Sequence, residues 1–374
     1  MARRWVEKTE GPLADAQFCA IPAVPPPVFS PNVTPERLEA LLVTDNKWAN
    51  GTILHYYFFD RETDGEEVIF TDGTKQFRSW VGAEDQREMV RRAFQKWKDL
   101  GMGLNFREVS DRDDAEVRIG FMSGDGSWSH IGTYILNLGA NERTMNFGWS
   151  LTARPGGLDT ATHEIGHTLG MPHEHQNPNS GIEWNEEAVY AALALPPNGW
   201  SREVTFYNII RKLDPGEVRG SDWDPDSIMH YPFGSGLIRK PEAYANGLRP
   251  HGGLSPRDIA YIKQFYPPLE DSDLQELLPS RSVPLNLAIG EQANFLVRPD
   301  ATRYYNIRTF GACDTIIVLF EDENGSWRYR TADDDAGEDR NATLRVKLIK
   351  GHRYAVRVRL KYSDLSSPPA VMMW

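Results

Sequence analysis

Chemistry is concentrated in one run, Asp159-Thr160-Ala161-Thr162-His163-Glu164-Ile165-Gly166-His167-Thr168-Leu169-Gly170-Met171-Pro172-His173. On a helix, residues four apart differ by about 40° around the axis and about 6 Å along it, so His163 and His167 can reach one ion. Gly170 lets the chain leave the helix in a conformation that a side chain would penalise, and His173 can then swing back as a third ligand. Three protein ligands leave one zinc position open, which distinguishes a catalytic from a structural site. Glu164 is rotated off the first ligand and can accept a proton from a metal-bound water, whose pKa zinc lowers towards about 7. A buried helix with incidental histidines would not also carry Gly170 and His173 at the right later positions.

Downstream stands Ser227-Ile228-Met229-His230-Tyr231-Pro232. A His-Glu-x-x-His-x-x-Gly-x-x-His run followed by a methionine turn resembles the metzincin metallopeptidases, and the Ser-x-Met-His-Tyr form resembles their astacin branch. The resemblance implies that Met229 forms an apolar floor beneath the metal. It also implies that Tyr231 is a mobile fifth ligand that stabilises the tetrahedral intermediate, as a phenol can by donating to an oxyanion. In astacins a glutamate directly after the third histidine binds the new N-terminus of the processed enzyme; Glu174 matches that position, and a solvated or locally paired carboxylate is the alternative. His175 is expected behind the ligands or at the surface. Gly126-Ser127-Trp128-Ser129-His130-Ile131-Gly132 resembles a family segment that often has cysteine where Ser127 stands.

The elements that must position these residues follow. Glu84 to Leu100 is predicted as an amphipathic helix with Met89, Val90, Ala93, Trp97 and Leu100 on one stripe and Gly101 as its stop. Trp48 to Phe59 reads as a turn and a strand. Ala115 to Phe121 alternates with period two and reads as a half-buried strand; by resemblance it is the rim of the cleft, with which substrate pairs as an added strand. Asp159 is the expected N-cap of the metal helix, and Asn185 that of a helix through Leu195. Ser255-Pro256-Arg257-Asp258 is a strong start signal for a helix to Tyr266, with Ser255 as cap, Pro256 at the first helical position and Asp258 three residues after the cap. Pro267-Pro268 and the acidic 269–273 mark a linker.

From Arg281 the pattern becomes short strands: Val283 to Ile289, Ala293 to Val297, Arg303 to Thr309, Thr315 to Phe320, Leu344 to Ile349 and Tyr354 to Leu360, with a hairpin signal at Asn324-Gly325. Such spacing suggests a β-sandwich, similar to prepeptidase-type C-terminal domains of bacterial secreted proteases. Asp333-Asp334-Asp335 with Glu338 and Asp339 could gather oxygen ligands for calcium, although a solvated loop is the commoner outcome.

Residues 1–46 look unlike a folded domain. The run from Ile21 to Pro31 reads as extended polyproline, and only Thr34 to Val43 suggests a short helix. An extended segment ahead of a protease domain is the shape of a propeptide lying in the cleft. Cys19 precedes the polyproline run, and a thiolate in the open zinc position would displace the catalytic water and hold the enzyme latent. Many metzincins use such a cysteine, whereas the Phe-x-Gly-Asp motif of astacin relatives is not found here; an ordinary free thiol is the alternative.

The 374 residues suffice for two domains, and their composition, 40% hydrophobic and 25% charged, is that of a globular protein. A net charge of −12 argues against nucleic acid or an anionic membrane as a main partner. Two cysteines, Cys19 and Cys313, make no disulfide framework. No apolar run approaches membrane-spanning length and no secretory signal is visible, so export is an expectation carried by the resemblance.

The expected fold class is α+β: a metzincin-type catalytic domain, a twisted, mainly parallel sheet plus zinc helix, followed by an all-β sandwich. The expected division is a propeptide-like segment 1–46, a metallopeptidase domain 47–268, a linker 269–281 and a sandwich 282–374. The expected activity is zinc-dependent endopeptidase, acting on proteins or peptides through one zinc on His163, His167 and His173, with Glu164 as base and Tyr231 on the oxyanion. The alternative is a vestigial protease fold that binds a protein or glycan through its sandwich.

Overall fold

The computed structural model describes residues 4–5, 18–22, 46–70, 72–153, 155–195, 198–213, 222–267, 274–288, 290–325, 327–333, 341–363 and 369–374. The expected polyproline run beyond Pro22, the helix from Thr34 to Val43 and residues 269–273 of the expected linker 269–281 lie outside them. The chain divides into two compact units, one of Met1–Pro26, Leu54–Gly101 and Phe106–Phe265, the other of Pro27–Ile53, Met102–Asn105 and Tyr266–Trp374.

In the first unit, which holds all but the first residue of β2 and of β5, the strands are β1 (Arg4–Trp5), β2 (Ile53–Phe58), β3 (Gly65–Phe70), β4 (Lys75–Ser79), β5 (Asn105–Glu108), β6 (Val117–Gly120), β7 (Trp128–Ser129), β8 (Met145–Asn146), β9 (Glu183–Trp184) and β10 (Ile238–Lys240). The helices are α1 (Glu84–Lys98), α2 (Gly157–Thr168), α3 (Glu186–Ala194), α4 (Arg202–Thr205), which runs into a π-helical turn Phe206–Ile210, and α5 (Pro256–Phe265). The main sheet has the order β5-β2-β6-β8-β7. β2, β6 and β8 run parallel and β7 runs antiparallel at the edge. β2 is buried almost throughout, as a central strand covered on both faces must be.

α1 ends at Lys98, short of Leu100, and Gly101 takes φ +70° just beyond it. It buries Val90, Ala93, Phe94 and Trp97. Phe94 stacks on Tyr56 of β2 with ring centroids 4.2 Å apart, and the Trp97 indole donates to the Thr162 carbonyl of α2 at 3.0 Å. That bond fixes the metal helix against its neighbour.

β6 departs from expectation. All four of its residues are buried, Arg118 included. The Arg118 guanidinium donates to the carbonyls of Ala115, Glu142 and Leu138 at 2.8, 3.0 and 3.1 Å, and burial pulls its pKa down. An alternating pattern signals a solvent face only when the polar residue has no internal acceptors, and here three carbonyls supply them. β6 lies between β2 and β8 and so has no free edge for an added strand; the edge of the sheet on that side is β7, within the segment Gly126 to Gly132.

In the second unit β11 (Gln275–Glu276), β12 (Val283–Pro284), β13 (Gln292–Val297), β14 (Arg303–Phe310), β15 (Cys313–Asp322), β16 (Trp327–Asp333), β17 (Thr343–Leu348), β18 (Tyr354–Ser363) and β19 (Ala370–Met373) form two sheets. Their orders are β11-β13-β18-β15-β16 and β12-β19-β14-β17. The inward residues, among them Phe295, Ile307, Ile317, Leu319, Val356 and Val371, make one core, the β-sandwich expected. Asn324 and Gly325 take φ +56° and +83°, the left-handed pair that a tight hairpin between β15 and β16 requires. The strand expected from Val283 to Ile289 shrinks to two residues, and β11, β16 and β19 add to the strands read from the sequence. Of the acidic run, Asp333 accepts from the Thr343 amide at 2.7 Å; Asp334, Asp335, Glu338 and Asp339 lie outside the described residues. Cys313 is buried and donates to Asn341 Oδ1 at 3.2 Å.

Among the described residues no helix is long and apolar enough to cross a membrane.

Candidate metal centre

α2 begins without the expected cap. Gly156, at φ +92°, is its N-cap, and Gly157 lies so close to the Leu151 backbone that a Cβ would collide with it. Asp159 sits inside the first turn, 3.5 Å from Lys96 Nζ. The turn after the helix forms as expected, with Gly170 at φ +90°.

The first two histidines are held by their far nitrogens. His163 Nδ1 donates to the Ile228 carbonyl and His167 Nδ1 to the Met171 carbonyl, each at 2.7 Å. Both Nε2 atoms therefore face the site as acceptors. His167 Nε2 lies 3.1 Å from His163 Nε2 and 3.1 Å from His173 Nε2. Ligands about 2.0–2.1 Å from a tetrahedral zinc sit about 3.3 Å from one another, so the spacing fits the ion. Burial drives the His163 pKa down to about 4, and burial with neighbouring imidazoles drives those of His167 and His173 well below the usual value. Neutral imidazoles are the form that ligates.

Cys19 completes the cluster. Its Sγ and the three imidazoles bring their ligand atoms within 4.8 Å of one another, all four residues buried. The thiol lies 3.3 Å from Glu164 Oε2. Its pKa is raised well above the usual value, first by burial and then by the adjacent Glu164 charge. Burial likewise pushes the Glu164 carboxyl up to about 8. Phe18 anchors the segment edge-on against Tyr231, at 5.0 Å between centroids, and beside Phe233 and Trp200.

Tyr231 stands over the ligands. Its ring centroid is 4.5 Å from that of His173, and its hydroxyl is in hydrogen-bond contact with His173 Nε2. The same hydroxyl donates to the Cys19 carbonyl at 2.6 Å. Met229 is buried below, with its sulfur so close to Gly166 that no Cβ fits there. Residue 166 is a glycine inside a helix because the methionine floor occupies the space of a side chain.

One supporting residue is legible from sequence only as a cap. Ser255 and Asp258 form the expected reciprocal box, Asp258 N to Ser255 Oγ and Ser255 N to Asp258 Oδ2, each 2.9 Å. The Asp258 carboxylate also accepts from Ser227 Oγ at 2.6 Å and from the Ile228 amide at 2.8 Å. It thus pins the turn whose Ile228 carbonyl orients His163. The signal is the buried aspartate itself, since a carboxylate kept from water needs several donors.

Glu174 Oε1 accepts from the Asn177 side chain at 3.0 Å and the Asp224 amide at 2.9 Å, and burial pushes its pKa up to about 7. His175 is fully buried, which removes the surface alternative. Its Nε2 meets the Asn208 carbonyl at 2.9 Å and its ring stacks 5.1 Å from that of His173. Asn185 precedes α3 but makes no side-chain cap bond, giving its amide to the Gly236 carbonyl instead.

Comparison with known proteins agrees with this geometry. The family model for the astacin peptidases matches residues 76–189. Mouse Tolloid-like protein 1 is 30% identical over 194 residues, 48% of this chain and 17% of that protein. The hatching enzyme of Paracentrotus lividus is 35% identical over 104 residues, 25% of this chain and 18% of the enzyme. The chain thus spans less than a fifth of the length of either. A solved structure of myroilysin superposes with a TM-score of 0.50 at 30% identity, over 60% of this chain and 97% of that one. A family model that includes the metal helix and a solved relative matched almost end to end place this chain in the astacin family of peptidases.

Proposed function

We propose that the chain is a zinc-dependent endopeptidase kept latent by its own N-terminal segment. The observation that carries this reading is the convergence of three neutral imidazoles with a thiol at the remaining position. Zinc bound there supplies a Lewis acid, lowers the pKa of water towards about 7 and favours the ionised form of Glu164.

The chain's own groups do the rest. Glu164 accepts a proton from the attacking water and returns it to the leaving nitrogen. The Tyr231 hydroxyl donates to the oxyanion that develops on the scissile carbonyl. Met229 keeps the floor apolar and fixed. The outer edge of β7 offers an extended peptide a strand to pair with. In the latent form Cys19 takes the place of the attacking water, and its carbonyl engages the very hydroxyl that catalysis needs. Glu174 serves as an internal acceptor that a newly formed N-terminal amine would have to share. The reading of a vestigial fold acting only by binding has no observation in its favour, since ligands, base and tyrosine all stand in place.

The test is cleavage of casein by the full chain, before and after limited trimming, with and without a zinc chelator. Activity that appears on trimming and disappears with chelator is expected. Absence of cleavage in both forms, with one zinc bound per chain, would overturn the peptidase reading.

A further inference from the structure

The β-sandwich has two outward faces, and they differ. That of the five-stranded sheet is covered by residues 47–50 of the same unit. Arg357 and Gln292 donate to the Asn50 carbonyl, Arg359 donates to the Lys47 carbonyl at 2.7 Å, and Ala49 packs on Phe320 and Ala355.

The outward face of the four-stranded sheet has no such cover among the described residues. On β14 the buried residues Tyr305, Ile307 and Thr309 alternate with outward Tyr304, Asn306, Arg308 and Phe310. Cross-strand register sets Tyr304 beside Lys347 and Asn306 beside Arg345, while Asn306 also exchanges backbone bonds with Trp374. Tyr304 is 58% exposed, and Arg345 and Lys347 are exposed. The Arg345 guanidinium lies over the Tyr304 ring at 5.0 Å and that of Arg308 over Phe310 at 5.3 Å; Phe310 in turn lies 6.1 Å from Trp374. No acidic residue points outward from β14, β17 or β19. Among the described residues the nearby carboxylates are engaged elsewhere: Asp300 by the Tyr305 hydroxyl and Arg303, Asp333 by the Thr343 amide. A cationic, aromatic face in a chain of net charge −12 is a local reversal of sign.

We propose that this face binds a polysaccharide rich in uronic acids. An anionic occupant complements this face, because the exposed Arg345 and Lys347 have no acidic neighbour on β14, β17 or β19. Held over the Tyr304 ring, the Arg345 guanidinium presents a planar fork of N–H donors that can grip a carboxylate with two bonds. The exposed Tyr304 and the half-buried Phe310 and Trp374 offer flat apolar surface on which sugar rings stack. An acidic peptide fits less well: β14 is bonded on both sides, to β17 and β19, so the centre of the face has no free backbone for a strand to pair with. Tyr304 to Phe310 spans ~20 Å of sheet, room for several sugar units in a row.

The inference is independent of the peptidase reading and is tested on the full chain by affinity electrophoresis. Gels contain alginate, with dextran as neutral control, poly-glutamate as acidic-peptide control and dextran sulfate as a control for bare charge. Retardation by alginate above that by all three controls, weakened by salt, is expected. Tyr304→Ala and the double variant Arg345→Ala/Lys347→Ala should each weaken it at least about tenfold, the loss of about 1.4 kcal/mol. These side chains are at the surface, and an unchanged Tm verifies that the variants fold. Equal retardation by poly-glutamate or dextran sulfate, no retardation by alginate, or undiminished binding in either variant overturns the proposal.

Discussion

The Cys19 thiol lies 3.3 Å from the Glu164 carboxylate, so the group that would block the metal and the group that would activate water are in direct contact. A substrate's water cannot stand between them while the thiol is there. Cys19→Ala should therefore raise the peptidase rate of the untrimmed chain towards that of the trimmed one, read as casein cleavage before any processing. An inert and intact Cys19→Ala protein would sink the latch.

Tyr231→Phe removes the hydroxyl but keeps the ring packed on His173. Loss of one oxyanion donor costs about 100-fold in kcat, with KM little changed, measured on trimmed protein with a short peptide. The same change deletes the bond to the Cys19 carbonyl, so trimming of the latent form should become faster. A variant with full kcat would remove Tyr231 from the reaction.

Asp258→Asn replaces one acceptor oxygen with an amide. Turned one way, its nitrogen meets two donors, the Ile228 and Ser255 N–H groups; turned the other way it can donate to Ser227 Oγ, whose own proton then loses its acceptor. Unsatisfied buried donors cost about 1–3 kcal/mol each, so a clear fall in Tm is expected. Zinc affinity should fall about 10–100-fold as well, because the turn orients His163. Isothermal titration with zinc reads that loss, and unchanged affinity would confine Asp258 to capping α5.

Gly166→Ala would stabilise an ordinary helix by about 1 kcal/mol. Here the new methyl meets the Met229 sulfur, and overpacking should instead destabilise by about 1–3 kcal/mol. Shortening the floor in Gly166→Ala/Met229→Ala should relieve part of the clash, which a double-mutant cycle of denaturation midpoints would register as coupling. Additive effects would mean that the two residues do not meet.

The clustering of His163, His167 and His173 is legible in the sequence because their spacing is a property of one helix and one turn, and local geometry survives any tertiary context. The hairpin at Asn324 and Gly325 and the box at Ser255 and Asp258 are legible for the same reason. What escapes a reading of the chain are relationships between distant segments. The burial of Arg118 depends on carbonyls at Leu138 and Glu142, which no window around β6 contains. The second task of Asp258 depends on a turn thirty positions earlier. The start of α2 falls before Asp159 because the determining fact is the closeness of Leu151 to Gly157, a contact that leaves no mark in residue type beyond the glycine. β16 is hidden because Arg328 and Arg330 break its apolar pattern, each finding an acidic partner, in Glu323 and Glu321.

The placement of the ligands also orders the assembly of the centre. Closing the short loop from His163 to His173 costs little chain entropy, so an ion can be captured while most of the chain is still unfolded. Tyr231 and Cys19 come from far along the chain in opposite directions and can join only once the surrounding unit has condensed. Chain entropy thus favours metal capture as an early and local event. In joining the centre, Tyr231 and Cys19 depend on each other, since one hydroxyl ties the tyrosine to the cysteine carbonyl.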